Sequence, residues 1–214
     1  MKKLFLPIID NGIGLSRTNW AIAMFALGIS SVLKQWEIVA TSISYPYPDG
    51  AMNIATHDFL ESDCDRMLVI DTDIIFTPKQ VEWILSHDAG FVAGIYPKKK
   101  EGLELCCAPL NGQNPFAPDP LAEGVRPLVE VARVGKGFIN VHRDVFEALK
   151  SETTEFDGEG NRKMREYWRT LRGGHSEDFD FCDRIRAHGF KVYVDQRCTL
   201  RHEGSAIYPI KGTW

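Results

Sequence analysis

The sequence predicts an α/β fold: an open, mostly parallel sheet flanked by helices, with a smaller antiparallel part. Three observations carry this. Short apolar runs alternate with helix-spaced patterns through the first hundred residues, as in βαβ units. The run Met67-Leu68-Val69-Ile70 is apolar at every position, as a strand buried on both faces is. Beyond about residue 100 the alternation gives way to glycine- and proline-bearing loops and shorter strand-like pieces.

Taken in order, Leu4 to Ile9 reads as a first buried strand. Ser16 can cap a helix through Trp20, Ala23, Met24, Leu27 and Leu33, which recur at roughly helical spacing. Trp36 to Ser44 is a second strand and Ala51 to Leu60 a short helix. Arg66 to Ile70 is the buried parallel strand. Thr77-Pro78 opens a helix to about Ser86, with proline early, where its missing N–H costs nothing. Phe91 to Ile95 is a further strand. Asn111 to Pro120, with Gly112 and three prolines, is a loop. Leu128 to Val134 and Phe138 to Val141 read as strands around the turn Gly135-Lys136-Gly137. Asp144 to Leu149 is a helix, and the polar stretch Ser151 to Arg162 a loop. Glu177 to His188 is a helix with Gly189 placed to end it. Phe190 to Val194 and Cys198 to Leu200 are the closing strands.

The 214 residues fit a single domain, 1–214. With 44% hydrophobic and 25% charged residues the composition is that of an ordinary globular protein rather than a disordered or membrane-embedded one. A net charge of −4 argues against a surface built to grip nucleic acid. The one basic run, Lys98-Lys99-Lys100, reads as a solvated loop. Five cysteines (Cys64, Cys106, Cys107, Cys182, Cys198) form no CxxC pair and imply neither a disulfide framework nor a zinc site. Reduced thiols and a cytoplasmic location are expected. The apolar run after Met1-Lys2-Lys3 stops at Asp10, too short for a signal segment or a membrane span.

Three stretches carry chemistry. Asp71-Thr72-Asp73 follows the buried strand directly, where open α/β sheets bind their ligands. Carboxylates at alternate positions of an extended segment share a face, so both can address one ligand. Hard divalent cations take such oxygens and keep positions open for phosphate. The plainer reading is acidic turn-formers. Gly173-Gly174-His175-Ser176-Glu177-Asp178 gives a glycine-rich approach and two acids at a helix start. The same acids also suit the helix dipole, with Ser176 as N-cap. Arg201-His202-Glu203-Gly204 places a histidine, a common metal ligand, after the last strand. A hydrogen-bonded structural histidine would look the same.

The order of these features resembles the GT-A glycosyltransferases. The chain is similar to the short stand-alone enzymes of bacteria, large viruses and phages. The stretches that carry the resemblance are "MLVIDTDIIFTP" and "VAGIYPK" within Leu60 to Lys98, "VGKGFINVHRDVFEAL" (Val134 to Leu149) and "SEDFDFCDRIRAHGFKVYVD" (Ser176 to Asp195). With the N-terminal strand and helix they cover most of the chain, leaving out the loops at about 109–124 and 151–170.

The resemblance implies a GT-A domain, with about 1–100 binding the nucleotide-sugar and about 101–214 the acceptor. It implies that Asp73 and His202 ligate Mn2+ or Mg2+ and that Asp71 touches the ribose or the metal's water shell. Pro7 to Asp10 would lie against the base, with Asn53 also on the donor. Relatives carry a basic residue near Asn53 that this chain lacks, and Arg17 is a candidate substitute. Gly135 and Gly137 would border the acceptor, although a plain hairpin turn would also favour them. Asp178 would be the catalytic base of an inverting single displacement, with Glu177 binding acceptor or holding the helix start. Retaining members share the motifs. Among the loop aromatics Tyr167, Trp168, Phe116, Tyr208 and Trp214, Trp168 is the favoured acceptor contact.

The implied function is transfer of a sugar from a nucleotide-diphosphate-sugar, a UDP-sugar favoured, to a glycan or other hydroxyl acceptor. Two alternatives stand beside it. A sugar-phosphate nucleotidyltransferase also sets acids at strand ends, but Asn11 to Arg17 only faintly echoes its glycine- and arginine-rich signature. A non-catalytic nucleotide-sugar-binding module would bind without turnover.

Overall fold

A computed structural model describes residues 2–10, 34–100, 104–158, 161–170, 176–204 and 207–208. The expected helix after Ser16, Arg17, Gly173 to His175 and Trp214 lie outside the described residues.

The core is a seven-stranded mixed sheet in the order β2-β1-β3-β9-β5-β12-β7. Its strands are β1 (Lys2–Asp10), β2 (Trp36–Ser44), β3 (Arg66–Ile70), β5 (Phe91–Ile95), β7 (Leu128–Val131), β9 (Phe138–His142) and β12 (Val192–Thr199). β1 runs parallel to β2 and β3, and β12 parallel to β5. β9 inserts antiparallel between β3 and β5, and β7 closes one edge antiparallel to β12. Strands from both the 1–100 and 101–214 stretches therefore share one sheet.

All five residues of β3 are buried because neighbours flank it and cores cover both faces. Side chains alternate across a strand. Phe5, Met67 and Val69 enter one core with helices α1 (Pro48–Glu61), α3 (Arg143–Leu149) and α4 (Glu177–Ala187). Leu4, Leu6, Leu68 and Ile70 enter the other with α2 (Pro78–Leu85). Thr77 and Gln80 form a reciprocal capping box that starts α2. Gly189, at φ +84°, ends α4 where a side chain would be strained.

Several boundaries differ from the sequence expectation. Leu128 to Val134 is two strands in different sheets, β7 and β8 (Arg133–Val134), and β8 pairs with β6 (Cys107–Ala108). The two closing strands are one, β12, with an irregular register against β5 between Val194 and Thr199. The stretch read as a loop at 151–162 contains β10 (Glu155–Asp157), paired with β11 (Lys163–Arg165). These pairings depend on partners distant in sequence, which local pattern does not encode. The five cysteines are free. Among the described residues no helix is long and apolar enough to cross a membrane.

Candidate functional site

The apolar strand β3 ends at Ile70 and Asp71 follows at once. The Asp71 N–H donates to the Gly137 carbonyl at 2.8 Å, and the Asp71 carbonyl accepts from the Ile74 N–H at 3.0 Å, closing a turn. The short strand β4 (Ile74–Ile75) then pairs with β13 (Arg201–Glu203), setting Ile74 opposite His202. β14 (Ile207–Tyr208) completes this small sheet. The Glu203 N–H donates to the Asp73 carbonyl at 2.7 Å. This register brings a late histidine beside an acid at the end of the third strand.

His202 Nε2 lies 3.6 Å from Asp73 Oδ1, too long for a sound hydrogen bond. His202 Nδ1 is 2.9 Å from the Pro97 carbonyl. A carbonyl only accepts, so Nδ1 carries the proton, and Nε2 of the neutral ring presents a lone pair to Asp73. Asp73 Oδ1 is buried with no hydrogen-bond partner. Two lone pairs facing one another in a buried place need a cation between them or a proton on Nε2. A histidine anchored through its other nitrogen to a carbonyl is also how metal-binding imidazoles are oriented. The residues therefore fit a divalent ion. Lys99 hydrogen-bonds the other Asp73 oxygen, Oδ2. Burial pushes the Asp73 carboxyl up, but His202, when Nε2 carries a proton and no cation lies between, and Lys99 more than offset it and hold it at about 2.

Asp71 turns to a different cation. Lys136 Nζ is 3.3 Å from Asp71 Oδ2 and 3.9 Å from Glu177 Oε1. One ammonium thus joins the end of β3 to the first turn of α4. Burial opposes the charge on Lys136, but Asp71, Glu177 and Asp178 outweigh it and raise its pKa. Burial likewise raises Glu177, with Lys136 acting against it. Asp178 is half-buried. Its Oδ1 accepts from the Phe179 N–H at 2.8 Å and from the Ser176 hydroxyl. Ser176 holds the N-cap position, yet its side chain bonds Asp178 rather than the helix backbone.

A cavity of about 180 Å³ opens here, its lining including Ile9, Tyr45, Pro48, Asp71, Asp73 and Lys136. A larger hollow of about 570 Å³, around Trp36, Lys79 and Trp83, contains none of these acids. Four carboxylates, Asp71, Asp73, Glu177 and Asp178, bear on two ammonium groups, Lys99 and Lys136. That excess of negative charge suits a divalent cation.

Other expected site residues are placed differently. Among the described residues no three of His, Cys, Asp and Glu converge as a metal cage. Asp73 and His202 face each other, and Asp71 pairs with Lys136 instead of joining them. Trp168 is 1% exposed, stacks on Phe181 with centroids 4.0 Å apart, and donates its Nε1–H to the Thr56 hydroxyl. It leaves no face for a substrate. Tyr167 and Phe116 are also buried. Asn53 is a brace: its amide donates to the Trp168 carbonyl at 2.7 Å and accepts from the Trp168 N–H at 2.9 Å. Both its amide nitrogen and its amide oxygen bond the Trp168 backbone. Pro7 is buried within β1, and Ile9 supplies the cavity wall instead. Asp10 ends β1. Gly135 and Gly137 are small because a Cβ at either would meet the Tyr96 hydroxyl.

Two cations escaped the sequence reading. Lys99 belongs to the run that reads as a solvated loop from sequence, where Lys98 and Lys100 pair with Glu104 but Lys99 reaches Asp73. Lys136 sits between two glycines, and a long charged side chain on a turn that tight was the available signal.

No protein-family model matches the chain, and no curated protein matches it. Solved structures do. The A197 protein from STIV aligns with a TM-score of 0.53 at 18% identity, over 95% of this chain and 86% of that one. A Drosophila β-1,4-galactosyltransferase 7 in complex with manganese, UDP-Gal and xylobiose aligns at 0.52 and 15% identity, over 99% and 72%. A UDP-glucose pyrophosphorylase complexed with UDP-glucose scores 0.48 at 12% identity, over 92% and 90%, too distant to carry an argument. At these identities the likeness shows the fold, and the fold is of the GT-A type: a mostly parallel sheet between helices with small antiparallel additions.

Proposed function

We propose that the chain is a metal-dependent glycosyltransferase that moves a sugar from a nucleotide-diphosphate-sugar to a hydroxyl acceptor. The observation that carries this is the unpartnered Asp73 Oδ1 facing His202 Nε2 beside a cavity walled by Asp71 and Lys136. Asp73 and His202 would hold Mn2+ or Mg2+, which when bound supplies the positive charge that makes a nucleoside diphosphate a workable leaving group. The galactosyltransferase that shares the fold is complexed with manganese and UDP-Gal, which supports this choice and favours a UDP-sugar.

The chain's own residues do the remainder. Ile9 and Tyr45 wall the cavity and would lie against the donor. Asp178, at the start of α4, takes the proton of the acceptor hydroxyl. The acceptor oxygen bonds to the anomeric carbon as the carbon–phosphate oxygen bond breaks, and its electron pair stays with the diphosphate. Glu177, tethered to Lys136, keeps the helix start against the donor side.

A thermal-shift screen of UDP-, GDP-, CMP- and dTDP-sugars with and without manganese tests this, because ligands of the native state raise its melting temperature. One nucleotide-sugar is expected to stabilise the protein only weakly without manganese and strongly with it, and to release nucleoside diphosphate with a hydroxyl acceptor. Pyrophosphate release from a sugar phosphate and a nucleoside triphosphate would instead mark a nucleotidyltransferase. Binding without turnover, even by hydrolysis, would mark a binding module.

A further inference from the structure

Among the described residues, Lys136 is the cation that touches both acidic motifs. Its ammonium is 3.3 Å from Asp71 Oδ2 and 3.9 Å from Glu177 Oε1, and its side chain is 11% exposed. It lines the same cavity as Asp71 and Asp73. An ammonium has three donors. One is used on Asp71, and Glu177 is beyond hydrogen-bond length. A largely desolvated cation thus retains donors for whatever fills the cavity.

The backbone fixes it there. The Gly135 N–H donates to the Cys106 carbonyl at 2.8 Å and the Gly137 N–H to the Tyr96 hydroxyl at 2.8 Å. The Gly137 carbonyl accepts from the Asp71 N–H at 2.8 Å. The turn that carries Lys136 is therefore bonded to the first acid of the DTD stretch itself. Lys99, by contrast, is 37% exposed and reaches only Asp73 among these acids.

We infer that Lys136 is a donor-binding residue whose ammonium takes the diphosphate of the nucleotide-sugar, an inference that rests on the glycosyltransferase reading. Asp71 and Glu177 hold the ammonium in place beforehand, and a phosphate oxygen supplants the long contact to Glu177. During transfer the anomeric carbon–oxygen bond breaks with its electron pair on the diphosphate oxygen, the acceptor oxygen bonds to that carbon, and the acceptor proton goes to Asp178. Lys136 keeps its own proton and donates a hydrogen bond to the oxygen that gains charge. This contact needs no metal ion.

Calorimetry on the full chain with UDP, GDP, CDP and dTDP, each beside its parent nucleoside, in EDTA and in manganese, tests this. The native protein is expected to bind one diphosphate in EDTA, more weakly than in manganese. Lys136→Met is expected to lower diphosphate affinity by about 10–100-fold, the scale of a charged hydrogen bond, and leave nucleoside affinity unchanged. Lys136→Arg should recover part of the loss. Equal diphosphate affinity in native and Lys136→Met protein would overturn the inference. So would diphosphate and nucleoside affinities falling together, as loss of a structural strut would produce. Should Lys136→Met lack a cooperative melt, Lys136→Gln, which keeps an N–H donor without charge, is read the same way. If the native protein binds none of the four diphosphates even with manganese, the glycosyltransferase reading itself falls. If it binds one and the variant matches it, only the assignment of Lys136 falls.

Discussion

Two aspartates in this chain, one buried and one half-buried, have the same kinds of partner and opposite states of satisfaction. Asp195, in β12, is 0% exposed. His87 Nε2 is 2.7 Å from its Oδ2, and Arg197 supplies Nη2 to Oδ2 at 2.6 Å, Nε to Oδ1 at 2.9 Å and its backbone N–H to Oδ1 at 3.0 Å. Asp73 also has a histidine and a basic side chain, but its Oδ1 is left bare at 3.6 Å from His202, beside a cavity. Both carboxyls are held below their usual value, against the pull of burial, by their basic neighbours. A depressed pKa therefore does not separate a structural acid from a candidate site acid here. The unmet lone pair and the adjoining space do.

That contrast can be broken at several points. Asp178→Asn removes the proposed base without touching either aspartate. Turnover should fall by about 10²–10⁴-fold while calorimetric donor affinity holds, and unimpaired release of nucleoside diphosphate would place the base elsewhere. Asp195→Ala leaves a half-buried guanidinium and imidazole without their acid, and denaturant unfolding should show a loss of about 1–3 kcal/mol. Donor affinity of the folded variant should match the native protein's, and a selective loss of affinity would make Asp195 part of the site.

The acid limb of stability sharpens the comparison further. The Asp73 carboxyl sits at about 2 in the folded protein against 3.8 ordinarily, so its contribution is fully present above pH 3.8 and disappears as pH falls toward 2. The amount is about 2 kcal/mol. Asp73→Asn should flatten that part of the stability–pH curve, and an unchanged curve would mean that the carboxylate is not held as described. The smallest effect belongs to Trp168→Phe, which loses the bond to Thr56 and about 1 kcal/mol of stability. Acceptor KM should not move, and a raised KM at unchanged stability would return Trp168 to the acceptor side.

Much of the fold was legible because its signals are local. The apolar run of β3, the Thr77–Gln80 box of α2 and Gly189 at the end of α4 each declare themselves within a few residues. The hairpin of β10 and β11, the continuity of β12 and the insertion of β9 depend on pairing that no local window shows. The site divides the same way. Asp71, Asp73, Glu177, Asp178 and His202 stood out by type and order. Lys136 and Lys99 did not, because their meaning comes from carboxylates brought to them by the fold. Asn53 and Trp168 misled for the converse reason: polar and aromatic groups that suit a ligand here satisfy each other.

The proposed function stands on Asp73 and His202 holding a divalent ion between them. Manganese binding followed by electron paramagnetic resonance, alone and with UDP, tests it without reference to turnover. One bound ion is expected in the native protein, with affinity weaker by about tenfold or more in Asp73→Asn and in His202→Ala and unaffected in Asp195→Asn once folded. Native protein that binds no manganese, or variants that bind it as tightly as the native chain, would mean that Asp73 and His202 hold no ion.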